Sequence, residues 1–261
     1  MTELPILSQQ HLYHFQVCPR RFYLRYMARL PWPEAPLGSD QELAYERGRR
    51  FHRWVERHFL GLPVTDDLSA DPVLAVWWTT FLSKSPPVVD GQRYPETTLT
   101  IPAGAEGRQR LTGRFDLLVA GTGTDGLPAA FVYDWKTGEP RTVQQLRHAW
   151  QTKVYLVLLA EGGSALVPER PDAFAAGQLS FTYWYVEDPE RPRVIAYDEA
   201  THAQFRRDIE AVVTEMERQL VEQVWPLTED WSHCRHCPYR VYCGRQAAGS
   251  GILDTGEDEE A

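Results

Sequence analysis

Lysine is nearly missing from this chain. Of its 27 basic residues only Lys84, Lys136 and Lys153 are lysines, and the rest are arginines. Where positive charge alone is needed, the sequence uses arginine. Each remaining lysine therefore points to a place where a compact ammonium matters more than a planar guanidinium, although genome composition can produce the same bias. Long apolar runs are missing too, so nothing in the sequence matches a membrane span. The N-terminus, MTELPILSQQHLYHFQVCPRR, lacks the charged start and apolar stretch of a signal peptide. Together these absences predict a cytoplasmic protein with no membrane partner. Cysteine is scarce, at four residues. In such a compartment those four favour metal ligation or redox chemistry over structural disulfides.

What is present is enough for a sizeable core: 261 residues, 43% of them hydrophobic. The formal net charge of −9 argues at first against an anionic partner. Five of the acids, Asp254, Glu257, Asp258, Glu259 and Glu260, crowd the tail; setting them aside leaves −4. A site built from carboxylates adds further negative charge, which a bound cation offsets. Positive charge clusters at Arg20, Arg21 and Arg25, and again at Arg47, Arg49, Arg50, Arg53 and Arg57. On charge alone these runs read as solvated helix faces.

The pattern along the chain is mixed. Ser8 is placed to cap a short helix that Pro19 interrupts, and Ser39-Asp-Gln-Glu42 reads as a capping box opening a second helix that ends at Gly61 and Pro63. A third helix is expected around Pro72–Leu82. Three strand-like runs follow, near Glu96–Ile101, Leu111–Ala120 and Ala130–Lys136; the last two flank a Gly/Thr/Asp-rich loop and predict a hairpin. A helix is expected over Val143–Ala160, strands over 179–186 and 193–197, and a long amphipathic helix over Thr201–Trp225. Its apolar stripe is Phe205, Ile209, Val212, Met216, Leu220 and Val224, which is core packing. Helices around a central sheet predict an α/β domain. The acidic stretch 249–261 reads as a disordered tail.

Chemistry concentrates at the hairpin. If its turn centres on Asp125, residues whose numbers sum to 250 pair, so Asp116 faces Asp134 with Cβ atoms roughly 5 Å apart. Lys136 lies two residues beyond Asp134, on the same strand face. Two adjacent carboxylates repel unless a cation lies between them, and oxygen ligands suit Mg²⁺ or Mn²⁺. Such an ion polarises a phosphodiester and activates bound water, while Lys136 is placed to orient that water or stabilise developing charge. By itself D-x-K arises by chance in many proteins. His52, in RGRRFHRWVERHF, offers an imidazole, with His58 as its competitor. Gln151 and Tyr155 are four apart and share a helix face.

The ordered set Gly48-x3-His52, Glu96, Gly113-Arg-Phe-Asp116, Asp134-Trp-Lys136-Thr-Gly138 and Gln151-x3-Tyr155 resembles the RecB-type nucleases of the PD-(D/E)xK superfamily. The resemblance spans roughly residues 5 to 245. It implies a restriction-endonuclease-like central mixed sheet flanked by helices. It also implies metal ligation by His52, Asp116, Asp134 and the Trp135 backbone carbonyl, with Lys136 as the catalytic lysine. Gln151 and Tyr155 become substrate-side residues, and Glu96 matches an acidic position on the strand before the hairpin. The implied reaction is hydrolysis of DNA, exonucleolytic and on single strands, in repair and recombination or in CRISPR spacer acquisition. Aromatic and arginine residues near Cys18 and Trp135 are then candidates for base stacking. No G-x4-G-K-[ST] occurs, so unwinding must come from a separate helicase. A rival reading is a catalytically silent DNA-binding or assembly subunit of a helicase–nuclease or CRISPR integration complex. Such a subunit has little need of Asp116, Asp134, His52 and Lys136 together.

The cysteines are arranged as Cys234-x2-Cys237-x5-Cys243, with Cys18 more than two hundred residues earlier. Zinc ligands usually come as two close pairs, which fits this spacing less well, although His233 and His236 add possible ligands. The arrangement resembles that of iron–sulfur RecB-type nucleases, including the AddB subunit and the CRISPR-associated exonucleases. That resemblance implies a four-iron, four-sulfur cubane on all four thiolates. With either metal, closing so long a loop removes chain entropy from the unfolded state. The expected organisation is a cluster lobe from residues 1–30 and 226–248, around a nuclease core over 31–225 with an insertion near 62–95.

Overall fold

In the first thirty residues two short helices meet at a corner. α1 (Gln9–Val17) opens after Ser8, whose N–H donates to His11 Nδ1 at 3.1 Å. Pro19 occupies the first position of α2 (Pro19–Phe22), as a residue without an N–H prefers. Cys18 sits between them in extended geometry (φ −164°, ψ 110°). The computed structural model describes residues 3–31, 39–64, 70–235 and 237–248, with the Ser39, Asp40 and Gln41 side chains left aside. The expected capping box at Ser39, the possible ligand His236 and the acidic tail therefore lie outside the described residues.

A five-stranded mixed sheet forms the centre, in the order β1 (Gly91–Ala103), β2 (Gln109–Thr122), β3 (Pro128–Lys136), β4 (Leu179–Tyr185), β5 (Arg193–Ala196). Neighbours are antiparallel except β3 and β4, which are parallel. That parallel step requires a crossover. α5 (Val143–His148) and α6 (Trp150–Gly162) supply it. The strands are longer than the sequence pattern suggests, since β1 begins five residues before Glu96. The β2–β3 register is the expected one: Leu117 pairs with Tyr133 and Thr122 with Pro128.

The sheet separates two apolar layers. On one side Phe51, Trp54 and Val55 of α3 (Ser39–Phe59) and Leu74, Trp78 and Phe81 of α4 (Pro72–Lys84) pack on Leu117, Val119, Trp135 and Trp184. On the other, α1, α6 and α7 (Glu199–Glu222) cover Phe115, Leu118, Val132 and Phe181. Asp71 caps α4, accepting from Val73 N at 3.1 Å and Leu74 N at 3.3 Å, and it also takes Arg47 Nε of α3 at 2.8 Å. Among the described residues no helix is long and apolar enough to cross a membrane.

Two expected elements differ. The single helix over Val143–Ala160 is broken at Ala149, which is extended (φ −65°, ψ 142°). The break is sealed from within, because Leu146 O accepts both Ala149 N at 3.1 Å and Thr152 Oγ1 at 2.6 Å. α6 is buried on most of its faces, so it lacks the amphipathic stripe that would have marked its start. α7 is capped by Asp198, which accepts from Thr201 N at 2.7 Å. It ends at the left-handed Gln223 (φ 55°), leaving Val224 exposed and off the stripe, while Val213 is buried in the core alongside Ile209 and Met216.

Candidate active site and cysteine lobe

Three carboxylates fall in one row across the sheet. The β1–β2 register places Glu96, between Pro95 and Thr97, opposite Asp116, between Leu117 and Phe115. Extending the β2–β3 ladder one step beyond Leu117–Tyr133 brings Asp116 opposite Asp134. The sheet's inward parity reverses at this row. Odd residues Ile101, Leu111 and Phe115 share a core with the even Leu118 and Ala120, whereas Leu117 and Val119 join the opposite layer. Glu96 stands at the reversal with φ 48°, a conformation that turns the strand and that a non-glycine residue adopts only at a cost.

Partners converge on the two aspartates from three elements, α3, β3 and α6. Asp116 Oδ2 accepts the Trp135 backbone N–H at 3.0 Å and lies 3.3 Å from His52 Nδ1 of α3. Lys136 Nζ stands 3.0 Å from Asp134 Oδ1, and Gln151 Nε2 donates to Asp134 Oδ2 at 2.7 Å. The break at Ala149 makes this last contact possible by starting α6 at Trp150, which puts Gln151 in its first turn. Asp134 Oδ1 is out of solvent and receives no aligned hydrogen bond. His58, the competing imidazole, packs among Phe59, Trp78 and Phe81 instead.

Gly113 explains how the helix comes so close. A Cβ there would lie 2.7 Å from Leu158 Cδ1 and 2.9 Å from Tyr155 Cε1. Tyr155 is buried, with its ring 4.7 Å from that of Phe115. Sequence reasoning missed Tyr183, which pairs with Asp134 in the parallel ladder. Its hydroxyl meets Thr152 Oγ1 at 2.8 Å, and Lys136 Nζ lies 6.0 Å from its ring centroid. Only the parallel β3–β4 pairing could have revealed it, and strand periodicity alone does not fix the register of a parallel pair.

The electrostatics follow from burial among charges. Burial pushes Glu96 up to about 7, helped by Asp116 and opposed by Arg114, whose Nε is 3.0 Å away. Burial and the Asp116 charge also raise Asp134, against the pull of Lys136. Asp116 stays below the ordinary carboxylate range: burial opposes its ionisation, but His52, Lys136 and the Trp135 N–H outweigh it. His52 shows the mirror behaviour, raised by Asp116 and Asp134 in spite of burial. Trp135 contributes backbone alone. Its ring is 1% exposed in the α3–α4 layer, which removes it from the candidates for base stacking.

The four cysteines come together where the first helices meet the segment that follows α7. Cys18, Cys234, Cys237 and Cys243, all free thiols, line one small cavity with Arg21 and Tyr239. The two chain ends are tied here by Tyr239 Oη donating to Leu30 O at 3.0 Å and Arg20 N to Pro226 O at 3.1 Å. Burial pushes the Cys237 thiol up to about 11 and raises Cys234 and Cys243 too. His233 also lines the cavity, but its Nε2 lies 3.5 Å from Asp230 Oδ2. Among the described residues, no three His, Cys, Asp or Glu groups already stand in a metal-ligating arrangement.

Residues 6–244 match the family model described as the PD-(D/E)XK nuclease superfamily. No curated protein matches the chain. Among solved structures, one titled "Crystal structure of SSO0001" is similar at 15% identity and a TM-score of 0.39, over 91% of this chain and 84% of that one.

Proposed function

The chain belongs to the PD-(D/E)XK nuclease superfamily, and from that premise we propose that it is a metal-dependent DNA nuclease acting on single strands from an end. The observation that carries this reading is the convergence of Asp116, Asp134, His52 and Lys136 on one row of the sheet. Nucleases of this superfamily typically use Mg²⁺ or Mn²⁺, and the donor set fits such an ion. Asp134 Oδ1 is a buried carboxyl oxygen without an aligned donor, and Asp116 faces it across the hairpin. Asp116, Asp134, His52 and the Trp135 carbonyl would hold the ion.

When bound, that ion supplies Lewis acidity to the scissile phosphate and lowers the pKa of bound water. The chain's own residues do the rest. Lys136 brings its ammonium to the carboxylates, where it stabilises negative charge developing on phosphate oxygens. Gln151 orients Asp134, and the Trp135 N–H fixes one oxygen of Asp116. Tyr155 and Tyr183 wall the site on the α6 side and exclude water from beneath the carboxylates. An assembly subunit without activity would have no use for this set.

In the same reading the four thiolates hold a four-iron, four-sulfur cluster that staples the first thirty residues to the last described ones. Four thiols around one cavity, with Arg21 and Arg240 among its walls, suit a group that is bound by thiolates and carries net negative charge. A separate helicase, or the proteins of CRISPR integration, would present the strand. The test is cleavage of end-labelled single-stranded DNA under a titration of Mn²⁺ and Mg²⁺. His52→Ala should need more metal and His58→Ala should not; equal titration curves for wild type and His52→Ala would remove the imidazole from the ligand set.

A further inference from the structure

An open groove of about 440 Å³ lies between α1 and the α5–α6 break. Its walls are Tyr13 and Gln16 on one side and Arg141, Gln144, Gln145 and His148 on the other, with Trp150 at the floor. Among the described residues no acidic one lines it, in a chain with 36 acids against 27 bases. Trp150 Nε1 donates to Gln16 Oε1 at 2.8 Å and so holds the two walls together.

Two chains of contacts link the groove's walls to the candidate site. Trp150 precedes Gln151, whose amide bonds Asp134. Arg141 O accepts Arg193 Nε at 3.2 Å, Arg193 stacks over Tyr185 at 5.2 Å, and Tyr185 is the ladder partner of Lys136. Amides, an imidazole and a guanidinium along one groove complement a sugar–phosphate backbone, and Tyr13 adds an aromatic face.

We propose that this groove holds the segment of single-stranded DNA next to the scissile phosphate, with Arg141 contacting a backbone phosphate and Gln144 and His148 beside it. The assignment rests on the nuclease reading above and adds the strand's path. The volume accommodates one or two nucleotides rather than a duplex, since ligand sites of about 300–1,000 Å³ enclose small-molecule-sized groups.

The experiment is fluorescence anisotropy of a labelled oligodeoxythymidylate in EDTA, across a salt series, with melting temperature as the fold control. Arg141→Ala with Gln144→Ala should raise Kd about tenfold and lower the salt slope by about 0.7, the loss of one phosphate contact on a single strand. Arg141→Lys should keep the slope, since the charge remains. His148→Glu, at an exposed position that folding tolerates, should weaken binding by repulsion. Unchanged Kd and slope in Arg141→Ala/Gln144→Ala and in His148→Glu, with wild-type binding intact, would overturn the groove and leave the nuclease reading standing. Wild-type protein that binds no oligonucleotide would overturn both.

Discussion

Gln151 Nε2 donates to Asp134 Oδ2 at 2.7 Å, so one oxygen of the more deeply buried aspartate is held by a helix that begins only one residue earlier. Groups that orient a metal ligand typically change metal affinity about 10–100-fold when removed. Gln151→Ala should raise the Mn²⁺ concentration for half-maximal cleavage by about that factor. Gln151→Glu should do worse, because it puts a like charge beside Asp134. A metal titration of cleavage distinguishes the two variants, and wild-type curves for both would mean that the contact is incidental.

Gly113 is required by space rather than by backbone angle. Gly113→Ala forces Leu158 or Tyr155 to move, since both lie within 3 Å of the added carbon. Overpacking of this kind costs about 1–3 kcal/mol. Urea unfolding should show that loss, together with reduced activity from a displaced Tyr155. Gly138, where a Cβ meets nothing within 4 Å, should tolerate alanine in folding.

Asp71 caps α4 and is bonded by Arg47 of α3, and these hydrogen bonds hold its carboxyl below the ordinary range. A depressed folded pKa stabilises the protein above the unfolded value near 3.9, and that contribution disappears as pH falls through the folded pKa. Asp71→Ala should cost about 1–2 kcal/mol at neutral pH, the usual worth of a cap. The difference from wild type should shrink on acidification. A gap between the two melting curves that stays constant down to pH 2 would contradict this.

The hairpin register was more legible in the sequence than its surroundings were. Asp116 and Asp134 could be matched because a hairpin's register follows from its turn, and Leu117–Tyr133 has the pairing that a turn at Asp125 requires. The choice of His52 over His58 followed from motif order, and the structure places only His52 beside Asp116. The break at Ala149 was not legible, because Leu146 O is satisfied by a side chain, Thr152, from the next helix. The parity reversal at Glu96 was hidden for a similar reason: period-two patterning assumes that one face persists along a strand. The last turn of α7 was misjudged because Val224 continues the apolar stripe while Gln223 has already left the helix.

Cys18 is the one cysteine far from the other three in sequence. If the four thiolates hold an iron–sulfur cluster, anaerobically purified protein should be brown, with about four irons per chain. Cys18→Ala should lose iron and melt earlier. Stoichiometric zinc without iron would replace the cluster but keep the staple; a wild-type melting temperature in Cys18→Ala would remove the staple as well.

The most direct test of the central claim is the rate at which Lys136→Ala cuts end-labelled single-stranded DNA in Mn²⁺, measured beside wild type and Lys136→Arg at matched melting temperature. Lys136 is one of three lysines in an arginine-rich chain and stands 3.0 Å from Asp134, so both variants should lose cleavage while keeping their fold. Wild-type rates in a correctly folded Lys136→Ala protein would contradict the assignment of this row of residues as the active site.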